Sequence, residues 1–164
     1  MKVFVTGPQR SGTTFVSQCI AHDLGITHVD EMAFDVYYFD KFLETVEGLE
    51  DWVVHGPALL HKAIDVQDKF PDVLFVVVRR DIEEIIRSQE RINWSDKEER
   101  ESLGVEGDPR PISVIKYDYW DQLKPSLKNC TEVEYEALKT HELWVDKEHR
   151  ADFTSKQWQV IPQA

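Results

Sequence analysis

Basic residues are scarce in this sequence. Asp and Glu number 31 against 19 for Lys and Arg, a formal charge of -12 over 164 residues. Non-specific nucleic-acid binding runs on a basic footprint, so the balance argues against that class and disfavours an anionic membrane surface. A local basic pocket for one small anion remains compatible, because its field acts within roughly 8 Å at physiological salt. Cysteine is scarce as well, with only Cys19 and Cys130, far apart in the chain. A core of this size needs no cross-link and Cys19 falls on an apolar helix face, so both are read as reduced thiols in a cytoplasmic setting. No apolar run approaches the ~18 residues needed to span a membrane. The opening MKVFVTG turns into a loop too early for a secretory leader. No repeat, low-complexity segment or break in composition divides residues 1–164, which suits a single domain.

Short apolar strands alternate instead with helical patterns. Val3–Val5, residues 26–29, WVVH (52–55), VLFVVV (73–78) and TEVEY (131–135) read as strands. Phe15, Val16, Cys19, Ile20 and Leu24 share a helix face that Gly25 can cap. Residues 33–47 form an aromatic helix pattern with Phe34, Tyr37, Tyr38, Phe39 and Phe42. Pro57 is placed to start a helix that buries Leu59, Leu60, Ala63, Ile64 and Phe70 and ends at Pro71. Asp81 and Glu84 have capping-box spacing before a stripe of Ile82, Ile85, Ile86 and Ile92. Residues 94–111 are charged and contain Gly and Pro, which predicts a mobile, solvated segment with room for one helical turn; 112–127 suit a further helix. The polar tail at 139–164 carries Trp144 and Trp158 and has no firm assignment. The expected fold class is α/β, with a mostly parallel sheet of about five strands.

The first strand runs into GPQRSGTT. Gly7 and Gly12 have the spacing of a phosphate loop, G-x-x-x-x-G-K-[ST], and Thr14 supplies the last hydroxyl. Thr13 stands where the lysine belongs, and the cation sits inside the loop at Arg10. The strand-loop-helix context suits anion binding by loop N–H groups and the positive helix end. It makes the expected architecture a single-domain, P-loop-type, three-layer α/β/α fold. An Mg²⁺-dependent kinase needs a carboxylate closing a buried strand. The best buried strand ends instead in Arg79-Arg80, which leaves Asp30 as the candidate for that role.

Two segments together resemble the sulfotransferases that use 3′-phosphoadenosine 5′-phosphosulfate (PAPS). GPQRSGTTF is similar to their 5′-phosphosulfate loop, P-x-[RK]-S-G-T-[ST], through Pro8, Arg10, Ser11, Gly12, Thr13, Thr14 and Phe15. VVVRRDIEEIIRSQ resembles their 3′-phosphate site, with Arg80 at a strand end and Ser88 on the next helix. His55, at the end of WVVH, resembles the general base of the cytosolic branch; Glu31 and Asp30 are rivals, because other branches use a Glu. VEYEAL (133–138) resembles a late-strand segment of the family and is read as structural. The chain is short for that family, and Arg150 and Lys156 are the candidates to complete the 3′-phosphate site.

The resemblance implies metal-independent transfer of a sulfuryl group from PAPS to a hydroxyl or amine of a small-molecule or peptide acceptor. Arg10 would stabilise charge on the bridging oxygen, and Phe15 would either flank adenine or belong to the core. Nucleic acid and membrane are not expected partners. An ATP- and Mg²⁺-dependent nucleotide or small-molecule kinase and a non-catalytic nucleotide-binding module are the alternatives.

Overall fold

The computed structural model describes residues 1–34, 37–144 and 160–161. β1 (Lys2–Thr6), β3 (Trp52–His55) and β4 (Leu74–Arg79) are buried along nearly their whole length, as strands covered on both faces must be. β1 pairs in parallel with both β3 and β4. β3 extends the sheet to β2 (Thr27–Val29), and β4 extends it to β5 (Cys130–Glu134), again in parallel. The short β6 (Val160–Ile161) adds an antiparallel edge beside β2, and the order is β5-β4-β1-β3-β2-β6. The expected parallel sheet is therefore present, with one strand more from the unassigned tail.

Side chains alternate across this sheet with the period of two that a strand imposes. Phe4, Trp52, Val54, Phe75 and Val77 point to one face. Val3, Val5, Val53, Val76 and Val78 point to the other. α2 (Phe39–Val46), α3 (Ala63–Lys69) and α6 (Ile112–Leu123) cover the first face through Phe42, Val46, Ala63, Val66 and Trp120. α1 (Thr13–Leu24) and the 3-10 turn at Tyr135–Thr140 cover the second through Val16, Ala21 and Tyr135. The result is the three-layer α/β/α architecture. Both cysteines are free, and no helix among the described residues is long and apolar enough to cross a membrane.

Several local expectations need correction. The aromatic segment is no single helix over 33–47: a 3-10 turn occupies Glu31–Ala33, Tyr38 is extended, and α2 starts only at Phe39. This break lets Phe34 and Phe42 enter the same core cluster from different directions. The helix expected at Pro57 opens as a 3-10 turn, Pro57–Lys62, before α3. Leu24, Ile64 and Ile92 are exposed, because Leu24 and Ile92 lie at helix ends and Ala63 and Val66, not Ile64, face the sheet. The capping spacing holds: Asp81 accepts the Glu84 N–H at 3.2 Å at the head of α4 (Ile82–Arg91). Arg150, Lys156 and Trp158 lie outside the described residues.

The largest correction concerns 94–111. This stretch is not a solvated loop: it contains α5 (Lys97–Leu103), whose Glu99 is buried. The Arg100 guanidinium donates to the carbonyls of Asp108 and Arg110, both at 2.7 Å, which closes the rest of the segment on itself. Glu99 pairs with Lys116 of α6, Oε2 to Nζ at 2.6 Å, and Lys116 is buried as well. The Lys116 ammonium also donates to the Pro57 carbonyl at 2.7 Å and to Gln9 Oε1 at 2.9 Å, so its three protons all have acceptors. Burial lowers the Lys116 pKa, and Glu99 pulls against that shift. Composition counts such charges as solvated, because it does not see a partner brought in by the fold.

Two outcomes are expected. Glu99→Gln leaves a buried ammonium without its counter-charge and should cost about 3–5 kcal/mol in denaturant unfolding, with much of the loss recovered in Glu99→Gln/Lys116→Met. Across the other edge, Arg79 donates to Glu132 at 2.9 Å and to Asp121 at 2.5 Å. The Arg79 bond holds the Glu132 pKa down to about 2, from 4.5. Between those values the unfolded chain binds the extra proton, so this stability is present above about pH 4.5 and is lost as pH falls toward 2. Glu132→Gln should therefore flatten the acid limb of a stability–pH curve, removing about 1–3 kcal/mol at pH 6 and little at pH 2.

Candidate active site

The carboxyl ends of β1, β2, β3 and β4 deliver the candidate residues to one edge of the sheet. This is where open parallel sheets place ligands, beside the strand from which the order runs both ways. Gly7 has φ 144° and Gly12 has φ 102°, conformations that suit glycine. A Cβ on Gly12 would also meet the Tyr135 ring at 2.4 Å. Arg10 itself sits at φ 70°, an uncommon conformation for a residue with a side chain, and it turns the loop back toward α1. Gly12 caps α1 without any side-chain hydrogen bond to the helix N-terminus. The first-turn N–H donors therefore have no side-chain cap, which suits an anion. Ser11 Oγ is buried beside them with no hydrogen-bond partner among the described residues.

Arg10, Arg80 and Ser88 meet at this loop. Arg10 Nε donates to Ser88 Oγ at 2.9 Å, and Arg80 Nη1 donates to the Arg10 carbonyl at 2.9 Å. Arg80 lies over the Tyr135 ring, 4.4 Å from its centroid. The Arg10 pKa is lowered, first by enclosure of the guanidinium and then by Arg91 and Arg80. Like charges held together within an acidic protein mark a pocket with positive potential. Arg79 does not share in it: its side chain is committed to Asp121, Glu132 and the Tyr117 ring. The neighbouring Arg80 is oriented through Tyr117, whose hydroxyl donates to the Val78 carbonyl at 2.7 Å and accepts the Arg80 N–H at 3.0 Å. Phe15 is half-buried and packs edge-on against Trp144 and His141, in the layer on the second face of the sheet.

Asp30, Glu31 and His55 stand on the other side of the loop. Thr14 Oγ1 and His55 Nε2 are 3.1 Å apart, which ties the first turn of α1 to the end of β3. His55 Nδ1 lies 3.7 Å from Asp30 Oδ2, and its Nε2 lies 3.8 Å from Glu31 Oε1. Burial, then His28, pushes the His55 pKa down to about 3, so the imidazole is neutral. Burial, then Asp30, pushes the Glu31 pKa up to about 8. The side chains of Asp30 and His55 are 0% and 2% exposed, against 21% for Glu31, which alone of the three is partly exposed.

Five participants were missed by the sequence reading. Lys116 and Gln9 brace the loop, and Gln89 Nε2 adds a bond to the Gln9 carbonyl at 3.0 Å. Lys116 carried a signal, since it falls in helical register with the apolar Ile112, Ile115 and Trp120. Tyr135, read as structural, packs on Gly12 and under Arg80. His28, a polar residue on an otherwise buried strand end, stacks on His55 with ring centroids 5.8 Å apart.

No protein-family model matches the chain. A search of curated proteins also finds no match. Solved structures resemble its fold. A protein from Eubacterium ventriosum is 13% identical with a TM-score of 0.44, over 82% of this chain and 89% of its own. A shikimate kinase from Bacteroides thetaiotaomicron is 11% identical with a TM-score of 0.47, over 80% and 85%. A gluconokinase from Sinorhizobium meliloti is 15% identical with a TM-score of 0.46, over 81% of each chain. The chain folds as an α/β domain with a parallel sheet and a P-loop at its carboxyl edge.

Proposed function

We propose that this chain is a P-loop group transferase whose donor is a nucleotide with phosphates at two separate positions, and that the donor is PAPS. The observation that carries this reading is the meeting of Arg80 and Ser88 with Arg10 of the loop. The loop and the uncapped start of α1 take the 5′-phosphosulfate, through Ser11, Gly12, Thr13 and Thr14. Arg80 and Ser88 take the 3′-phosphate, the group that distinguishes PAPS from ATP. In the transfer step an acceptor hydroxyl or amine attacks sulfur, and the bond from sulfur to the bridging phosphate oxygen breaks. The acceptor proton passes to a carboxylate, and 3′,5′-adenosine bisphosphate leaves. Arg10, a permanent cation, stabilises the charge that grows on the bridging oxygen.

Of the three candidate bases, Glu31 fits best. It is the only one of the three with a partly exposed side chain, and a carboxylate with a pKa near 8 is matched to proton transfer near neutrality. His55 is enclosed, and with a pKa of about 3 its neutral ring is a poor proton acceptor.

The carboxylates Asp30 and Glu31, opposite the loop, support a second reading: an ATP-dependent small-molecule kinase. Its Mg²⁺ would fall to Asp30 and the Thr14 hydroxyl. Mg²⁺ demands oxygen ligands in near-octahedral array. Asp30 is instead set beside two imidazoles, and Thr14 is engaged by His55, so these residues do not fit that ion.

Calorimetry separates the two readings. The protein should bind 3′,5′-adenosine bisphosphate without Mg²⁺ and more tightly than ATP with it. Arg80→Ala should weaken that binding about tenfold to a hundredfold and abolish the preference for a 3′-phosphate. An Arg80→Ala protein that keeps the preference would overturn the site. Tighter binding of ATP with Mg²⁺ would favour the kinase. With an acceptor found by screening phenols, alcohols and amines, the wild-type rate should rise with pH toward about 8 as Glu31 loses its proton. Glu31→Gln should remove that limb of the profile and lower the rate about 10²–10⁴-fold; an unchanged profile would return the role to His55 or Asp30.

A further inference from the structure

His28, Asp30 and His55 form a cluster that the transfer reading does not use. All three side chains are buried, and ligating atoms from each lie within 4.8 Å of one another. His28 Nδ1 and His55 Nδ1 have no hydrogen-bond partner among the described residues. An unpartnered buried nitrogen is destabilising, and two of them side by side call for an explanation.

The tautomer of His28 follows from its neighbours. Ser17 Oγ donates its proton to the Thr14 carbonyl at 2.7 Å. It therefore accepts at 2.8 Å from His28 Nε2, which must carry the hydrogen. His28 Nδ1 is left as a bare lone pair in a dry site. His55 has the same pattern, with Nε2 on Thr14 Oγ1 at 3.1 Å and Nδ1 turned toward Asp30 Oδ2 at 3.7 Å. Ligating histidines are characteristically held in this way, with one nitrogen tied to a hydrogen-bond partner and the other presented.

We propose that His28 Nδ1, His55 Nδ1 and Asp30 bind one divalent transition-metal ion of the class that prefers imidazole, Zn²⁺ foremost. Two imidazoles and one carboxylate suit Zn²⁺ and disfavour Mg²⁺ or Ca²⁺. Ligands of a tetrahedral Zn²⁺ stand about 3.4 Å apart, given bonds of about 2.0–2.2 Å. The 3.7 Å from His55 to Asp30 is already close to that value, and the remaining gap closes by side-chain rotation. Three protein ligands leave a fourth position. Ser17 and Thr14 form the outer shell, so the ion locks the first turns of α1, and with them the phosphate loop, against β2 and β3. The site does not depend on which group the loop transfers. It engages Asp30 and His55 and leaves the Glu31 carboxylate unligated, so the pH limb assigned to Glu31 above is that of the metal-free protein.

The test uses the full chain stripped with chelator and titrated with Co²⁺, followed by visible absorption and calorimetry. One Co²⁺ per chain should bind with the intense bands of low coordination, and Zn²⁺ should displace it. His28→Gln and Asp30→Asn should each weaken binding at least about tenfold, and Ser17→Ala about tenfold through the outer shell. A second cluster, His22, Asp23 and His141, lies on the surface and supplies the control: His22→Gln should leave the bound Co²⁺ unchanged. Absence of Co²⁺ binding in the wild type overturns the proposal, as does binding that His22→Gln removes and His28→Gln spares. Should His28→Gln fail to fold, imidazole nitrogen NMR of the wild type decides. A Zn²⁺-induced shift at Nδ1 of His28 and His55 supports the site, and a shift confined to His22 and His141 overturns it.

Discussion

A lysine ammonium buried beneath the phosphate loop organises this molecule. Lys116 cannot remain charged in that position without acceptors, and the fold supplies three from three distant parts of the chain: Glu99, Gln9 and the Pro57 carbonyl. Meeting that requirement draws α5 onto the sheet edge, fixes the side chain of a loop residue and anchors the turn after β3. The loop is thus held from below by charge and hydrogen bonds while its upper surface keeps donors for a ligand. The same helix supplies Tyr117, which sets the backbone at Arg80. α6 links the two proposed phosphate positions through side chains that touch neither phosphate.

The two sides of the loop differ in electrostatic character. On one, Arg10, Arg80 and Arg91 lie close enough to lower the Arg10 pKa, and an anion relieves their repulsion. On the other, burial holds two imidazoles neutral and raises a carboxylate toward neutral pH. In the proposed transfer, a strongly anionic donor and an acceptor that must lose a proton would meet opposite environments. The chain's large acidic excess conceals this, because net charge averages over a surface while a site depends on what lies within a few ångströms.

Much of the frame was legible in the residues. The run at 73–78 marked a central strand, Asp81 marked a helix start, and Gly7 and Gly12 marked the positive-φ positions of the loop. Arg80 and Ser88 were singled out through the family resemblance of their segment, and the fold brings both to Arg10. The charged stretch at 94–111 was misread, because ion pairing across the fold leaves no periodicity in the sequence. Apart from that resemblance, nothing in the residues told Arg79 from Arg80. The alternation of side chains in a strand sends one to Asp121 and Glu132 and leaves the other to the loop.

The sequence by itself determined the alternation of strand and helix and the phosphate loop with its cation moved to Arg10. These are local features, carried by hydrophobic period and by the conformational freedom of glycine. The tertiary structure alone decided which carboxylate keeps partial exposure, which arginine faces the loop, and that His28 joins Asp30 and His55. Each of those outcomes depends on burial and on the meeting of chain segments far apart in sequence, and no local pattern records either.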